Sequence, residues 1–146
     1  MFYYGSSDVT NGGFVEVRLT SANKMRLQYG SNNSHVKILA PNALTADTWQ
    51  HIVMTYDGGT TGASSADIND YYSRFEIYIN GVAQTPNTSH LNYGWSGAIS
   101  GQNLHVGKLV SGNSLSGEKV DELAIWNSDE TANVSSIYNS GTPFDL

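Results

Sequence analysis

The segment Arg74-Phe75-Glu76-Ile77-Tyr78-Ile79-Asn80-Gly81-Val82-Ala83 leaves few options for folding. Phe75, Ile77 and Ile79 alternate with Glu76 and Tyr78, the period of a strand with one buried face. Asn80-Gly81 then supplies the two positive-φ residues that a type I′ turn requires, so the chain doubles back as a tight hairpin. The same period recurs upstream. Val15, Val17 and Leu19 alternate with Glu16 and Arg18. After the polar turn Thr20-Ser21-Ala22-Asn23-Lys24, Met25, Leu27 and Tyr29 alternate with Arg26 and Gln28, and Val36 and Ile38 then alternate with His35 and Lys37. Trp49 to Tyr56 has few polar breaks and is expected to be a central strand buried on both faces. Leu104 to Lys108 and Val120 to Trp126 are expected as further strands, with Trp49 and Trp126 in the core. Helical signals gather only at the end: Thr131 as N-cap, Val134, Ile137 and Tyr138 on one face, Gly141 past the terminus and Pro143 as the stop.

Composition supports an all-β reading. Charged residues are 14% of the 146 positions, against roughly 25% in average domains. Gly, Ser, Thr and Asn number 15, 18, 11 and 14, which excludes a helix bundle or coiled coil. The length fits a single domain over residues 1–146. The net charge is −6 with seven Lys plus Arg scattered singly, so neither nucleic acid nor insertion into a membrane is expected. Absence of cysteine removes disulfides, thiolate metal sites and Cys nucleophiles. Met1-Phe2-Tyr3-Tyr4 lacks the basic start and apolar stretch of a signal peptide, so export information is expected outside this sequence. Two long stretches, Asp57 to Ser73 and Thr85 to Asn103, exceed the usual connection of about 4–6 residues and are expected as loops.

Several segments share their wording and order with one family. Trp49-Gln50-His51-Ile52-Val53-Met54-Thr55-Tyr56-Asp57-Gly58 resembles the W-H-H-V-x-x-T-Y-D-G strand of laminin-G-like, concanavalin A-like jelly rolls. Ile77 to Gly81 resembles their I-Y-I-N-G hairpin. Leu104 to Gly107, then Gly117 to Asn127, resembles their L-x-I-G and G-x-I-D-E-V-x-I-Y-N ending, and the Thr131 to Tyr138 segment resembles the short helix that follows it. The resemblance covers residues 49–146 and implies an antiparallel two-sheet jelly-roll sandwich with one short C-terminal helix. Relatives usually open with two earlier strands whose phrases do not occur here. The chain is therefore expected to be N-terminally incomplete, the gap at Phe2–Tyr4 and Phe14–Leu19 being filled by another chain, a swapped copy or a rearranged edge.

Three kinds of chemistry deserve weighing. Asp57, Asp67, Asn69 and Asp70 offer hard oxygen ligands of the kind calcium takes, and some relatives hold calcium at the sandwich rim; the same loop equally reads as a solvated turn without the spacing of a hand-type site. Tyr71, Tyr72, Asn92, Tyr93 and Trp95 place rings and an amide beside the loops, as sugar recognition uses, although Tyr71 and Tyr72 also fit the start of the following strand and Trp95 also fits a core cap. Catalysis lacks its parts. Glycoside hydrolysis wants a pair of facing carboxylates, and on a strand Asp121 and Glu122 point to opposite faces, with Glu118 three residues away. Four separate histidines show no zinc spacing. The expected role is a non-catalytic carbohydrate-binding or adhesion module, extracellular on a cell or virion surface such as a phage fibre, with a glycan or cell-surface polymer as partner. The alternative is a structural subunit of a virion fibre, capsid decoration or surface filament that self-associates through exposed strand edges.

Overall fold

The computed structural model describes residues 2–57, 72–92, 99, 104–107 and 119–142. Among them nine strands run β1 (Phe2–Gly5), β2 (Phe14–Leu19), β3 (Met25–Gly30), β4 (His35–Leu39), β5 (Ile52–Tyr56), β6 (Phe75–Ile79), β7 (Val82–Ala83), β8 (Asn87–Leu91) and β9 (His105–Val106). They form a six-stranded sheet, ordered β8-β4-β3-β2-β1-β9, and a three-stranded sheet, ordered β5-β6-β7. Every pairing is antiparallel. This is the all-β two-sheet sandwich expected from the alternation, consistent with the jelly roll that the resemblance implies.

The core is the facing pair of apolar stripes. Val17, Met25, Leu27, Val36 and Ile38 of the large sheet meet Phe75 and Ile77 of the small one. Val36 and Ile38 have no exposed surface. Near β1 and β5 an apolar space of about 310 Å³ remains between the sheets, bounded by Tyr4, Val17, Leu27, Met54 and Phe75 among others.

The β6–β7 hairpin turns at Asn80 (φ 52°) and Gly81 (φ 74°), the positive-φ pair expected there. A Cβ on Gly81 would stand 2.5 Å from Cδ1 of Tyr138, so glycine is required both by conformation and by the ring packed on it. Tyr138 ends α1 (Val134–Tyr138), and its ring centroid lies 5.5 Å from that of His51. The helix thus caps the small sheet, with Val134 buried at 3% exposure.

Several expectations need correction. The apolar run from Trp49 becomes a strand only at Ile52, and among the described residues β5 pairs with β6 alone. Both faces of β5 are nevertheless covered: Met54 packs on the core, while buried Thr55 meets Thr131 of the cap. A helical turn, not a neighbouring strand, supplies the second cover. Trp49 is 66% exposed because it precedes the strand. Trp126 is 41% exposed because Val120 to Trp126 makes no strand, Glu122 taking φ 50°. The Thr85–Asn103 stretch contains β8, which pairs along β4. Thr131 opens a 3₁₀ turn (Thr131–Asn133) without acting as a side-chain cap, and the left-handed position after α1 is held by Asn139 (φ 45°) ahead of Gly141. No correction arises at β1 and β2, where a filled gap is expected: each is paired on both sides within the chain. β1 lies between β2 and β9, and β2 between β1 and β3.

A candidate binding face on the large sheet

Cross-strand partners in a sheet point to the same side. The register joins Tyr3 to His105 and to Glu16, Glu16 to Gln28, Gln28 to Lys37, and Lys37 to Ser89. One line of hydrogen-bonding side chains therefore crosses all six strands on the face turned away from the core, a width of about 24 Å at the usual strand spacing. Both rows beside it belong to the same face: Phe14, Gly30, His35 and Leu91 on one side, Arg18, Arg26 and Leu39 on the other.

The middle of this face is built, not merely solvated. Glu16, Gln28 and Tyr3 are 6%, 2% and 1% exposed. Arg26 Nη2 donates to Glu16 Oε1 at 2.5 Å, and Arg18 Nε stands 2.9 Å from the same oxygen. Burial lowers the pKa of Arg26, partly opposed by Glu16. Burial also lowers Lys37, and the charges of Arg26 and Arg18 lower it further. The Tyr3 phenol is pushed up to about 12, first by burial and then by the Glu16 charge; its hydroxyl donates to the Ser6 carbonyl. Its ring stacks on Phe14 at 5.1 Å and meets His105 edge-on at 6.3 Å. His35 Nδ1 lies 2.9 Å from the Ser31 carbonyl, an acceptor only, so that nitrogen carries the proton.

At one end of the sheet the connections form an amide-rich rim. The Asp8 carboxylate accepts from the backbone N–H groups of Thr10 and Asn11, Asn33 Nδ2 donates to Asn11 Oδ1 at 3.3 Å, and Asn92 Nδ2 donates to the Asn33 carbonyl. Asn92 is thus an exposed rim residue with φ 49°. Of the other residues singled out by sequence, Tyr72 is packed against the core and hydrogen-bonded with Thr88. Asp57 receives Arg74 Nη1 on both carboxylate oxygens, at 3.0 and 2.9 Å, so a cation there competes with an existing ion pair. Tyr71, Tyr93, Trp95, Asp67, Asn69 and Asp70 lie outside the described residues, and among those described no three His, Asp or Glu gather to hold a metal ion.

Sequence reasoning missed the face itself. Its signal was present, in polar residues at alternate positions of three consecutive strands, but such positions are ordinarily solvated. Nor are the cations scattered: three of the seven Lys plus Arg converge here.

A family model described as the concanavalin A-like lectin/glucanases superfamily matches residues 2–133. The chain belongs to that superfamily. The match to the concanavalin A-like lectin/glucanases superfamily takes in all nine strands, so it includes β1 to β4, upstream of the segment that carries the sequence resemblance. Neither the comparison with curated proteins nor that with solved structures returned a match.

Proposed function

We propose that the chain is a non-catalytic carbohydrate-binding or adhesion module that works outside the cell, with the outer face of the six-stranded sheet as its binding surface. The observation that carries this reading is the polar line His105–Tyr3–Glu16–Gln28–Lys37–Ser89, whose buried members Tyr3, Glu16 and Gln28 anchor the partly exposed His105, Arg18, Arg26 and Lys37 and the exposed Ser89 that a ligand can reach. Donors and acceptors fixed at strand spacing suit the repeated hydroxyls of an extended sugar chain, and half-exposed rings such as His105 suit its C–H faces. Family membership fits sugar recognition at the coarse level. The non-catalytic part rests on Glu16: among the described residues it is the one carboxylate on this face, and two arginines hold it in place of a second acid.

The test is a glycan array probed with the intact protein and with Ser89→Trp, a bulky change at an exposed end of the line. Binding that Ser89→Trp weakens supports the reading; binding that is indifferent to it, or release of soluble sugar from a bound glucan, overturns it. Exposed Trp49, Ile125 and Trp126 favour a second reading, a structural subunit that covers them by self-association. Regular assemblies in solution together with a silent array would select that one.

A further inference from the structure

Arg18 and Arg26 are direct cross-strand partners, and Lys37 on β4 lies diagonally across from Arg26. Like charges placed opposite one another on a sheet destabilise it, and the chain as a whole carries a net charge of −6. Three cations nevertheless surround one carboxylate, leaving a local surplus of two positive charges. Glu16 pairs with two of them, through Arg26 Nη2 and Arg18 Nε, which leaves, among the described residues, Arg26 Nε without a hydrogen bond and Lys37 Nζ with neither a hydrogen bond nor an ion pair. The side chains of Arg18 and Arg26 keep 30% and 16% of their surface open to solvent, so the charge is reachable.

We propose that Arg18, Arg26 and Lys37 form a site for an anionic group on an acidic polysaccharide, with Glu16 as the positioning residue that fixes the two guanidiniums. The proposal rests on the reading that this face binds glycans and narrows the glycan to one bearing carboxylate or sulfate groups. Guanidinium presents a planar fork that matches either oxyanion, while Lys37 adds a point charge one strand away. A bound anion would neutralise the surplus and accept from the partly exposed side chains of Arg18 and Lys37. Exposed Ser89 remains for the sugar hydroxyls.

The experiment titrates the intact protein calorimetrically with polygalacturonate, dextran sulfate and neutral dextran at low and moderate salt. At least one acidic polymer is expected to bind at least tenfold more tightly than dextran, and to weaken as salt rises. Arg18→Gln and Lys37→Gln are each expected to lose on the order of tenfold in affinity, as for a charge-assisted contact. Arg18→Lys, which keeps the charge but not the fork, is expected to fall between. Both Gln variants alter partly exposed positions, and circular dichroism verifies that the sheet persists. Binding of polygalacturonate alone assigns a carboxylate, and of dextran sulfate alone a sulfate ester. If dextran binds as well as both acidic polymers, the anion site falls and the glycan reading stands. If exposed Lys119→Gln weakens acidic binding as much as Arg18→Gln does, the attraction is diffuse and the site is overturned. If none of the three polymers binds, the anion site is overturned, and the glycan array alone decides the broader reading.

Discussion

Thr131 Oγ1 in the C-terminal 3₁₀ turn lies 2.8 Å from Thr55 Oγ1 in β5, tying together positions 76 residues apart. The same Thr131 oxygen stands 2.7 Å from Asp129 Oδ1. A carboxylate only accepts, so the one Thr131 proton serves Asp129 and the Thr55 hydroxyl donates to Thr131. Thr55 is 6% exposed and has little access to water as a replacement. Thr131→Val should therefore cost about 1–2 kcal/mol in urea unfolding. Adding Thr55→Val should cost less than the sum of the single changes, because no polar group is then stranded; additive losses would contradict the contact.

Glu16 is buried and held by Arg26. Removing the guanidinium while leaving the carboxylate strands a charge, a situation that costs about 3–5 kcal/mol when pairing is lost altogether. Because Arg18 remains within reach, Arg26→Met is expected to fall below that range, at about 2–3 kcal/mol. Glu16→Gln in the same chain should recover part of that loss. A double variant as unstable as Arg26→Met alone would show that Glu16 does not depend on the pair.

Gly81 combines a left-handed backbone with the Tyr138 ring at contact distance. Gly81→Ala should destabilise by more than the roughly 1 kcal/mol that left-handed strain alone brings. In the Tyr138→Ala background the same change should cost less, since the steric part disappears. Equal costs in the two backgrounds, measured by thermal melting, would mean that only the backbone matters.

His35 and His51 have lowered pKa values, in both cases chiefly through burial; Lys37 adds to the effect at His35, and Glu122 opposes it at His51. An unfolded histidine titrates near 6.5. Between that value and the lower folded one, the unfolded chain binds more protons, so stability is full above about pH 6.5 and falls as pH drops through the window. The melting temperature should decline from pH 7.5 to pH 5.5. The slope should flatten in the His35→Gln/His51→Gln double variant, whatever its absolute stability. A constant melting temperature in the native chain, or an unchanged slope in the variant, would exclude these two groups as the cause.

What was legible in the sequence is what is local. The β2–β3 and β6–β7 hairpins follow from alternation and a turn within about ten residues. One edge is different in kind: β8 is a strand because β4 stands beside it, a fact that residues 87–91 do not contain, whereas β9 falls within the strand expected at Leu104 to Lys108. Trp49 and Trp126 show the limit of residue type as a guide, since each is apolar and yet lies outside any strand. The same holds for the site. Arg18, Arg26 and Lys37 are separated singletons along the chain, and only the β2–β3–β4 register turns them into one cluster.

The most direct test of the account is a map of backbone amide chemical shifts during titration of the labelled protein with the best-binding glycan from the array. The outer-face account predicts saturable shifts concentrated on β2, β3 and β4 around Glu16, Gln28 and Lys37 and extending to Ser89, with the β6–β7 hairpin and α1 unmoved. Shifts confined to the hairpin and α1, with the β2–β4 amides unperturbed at saturation, would contradict it.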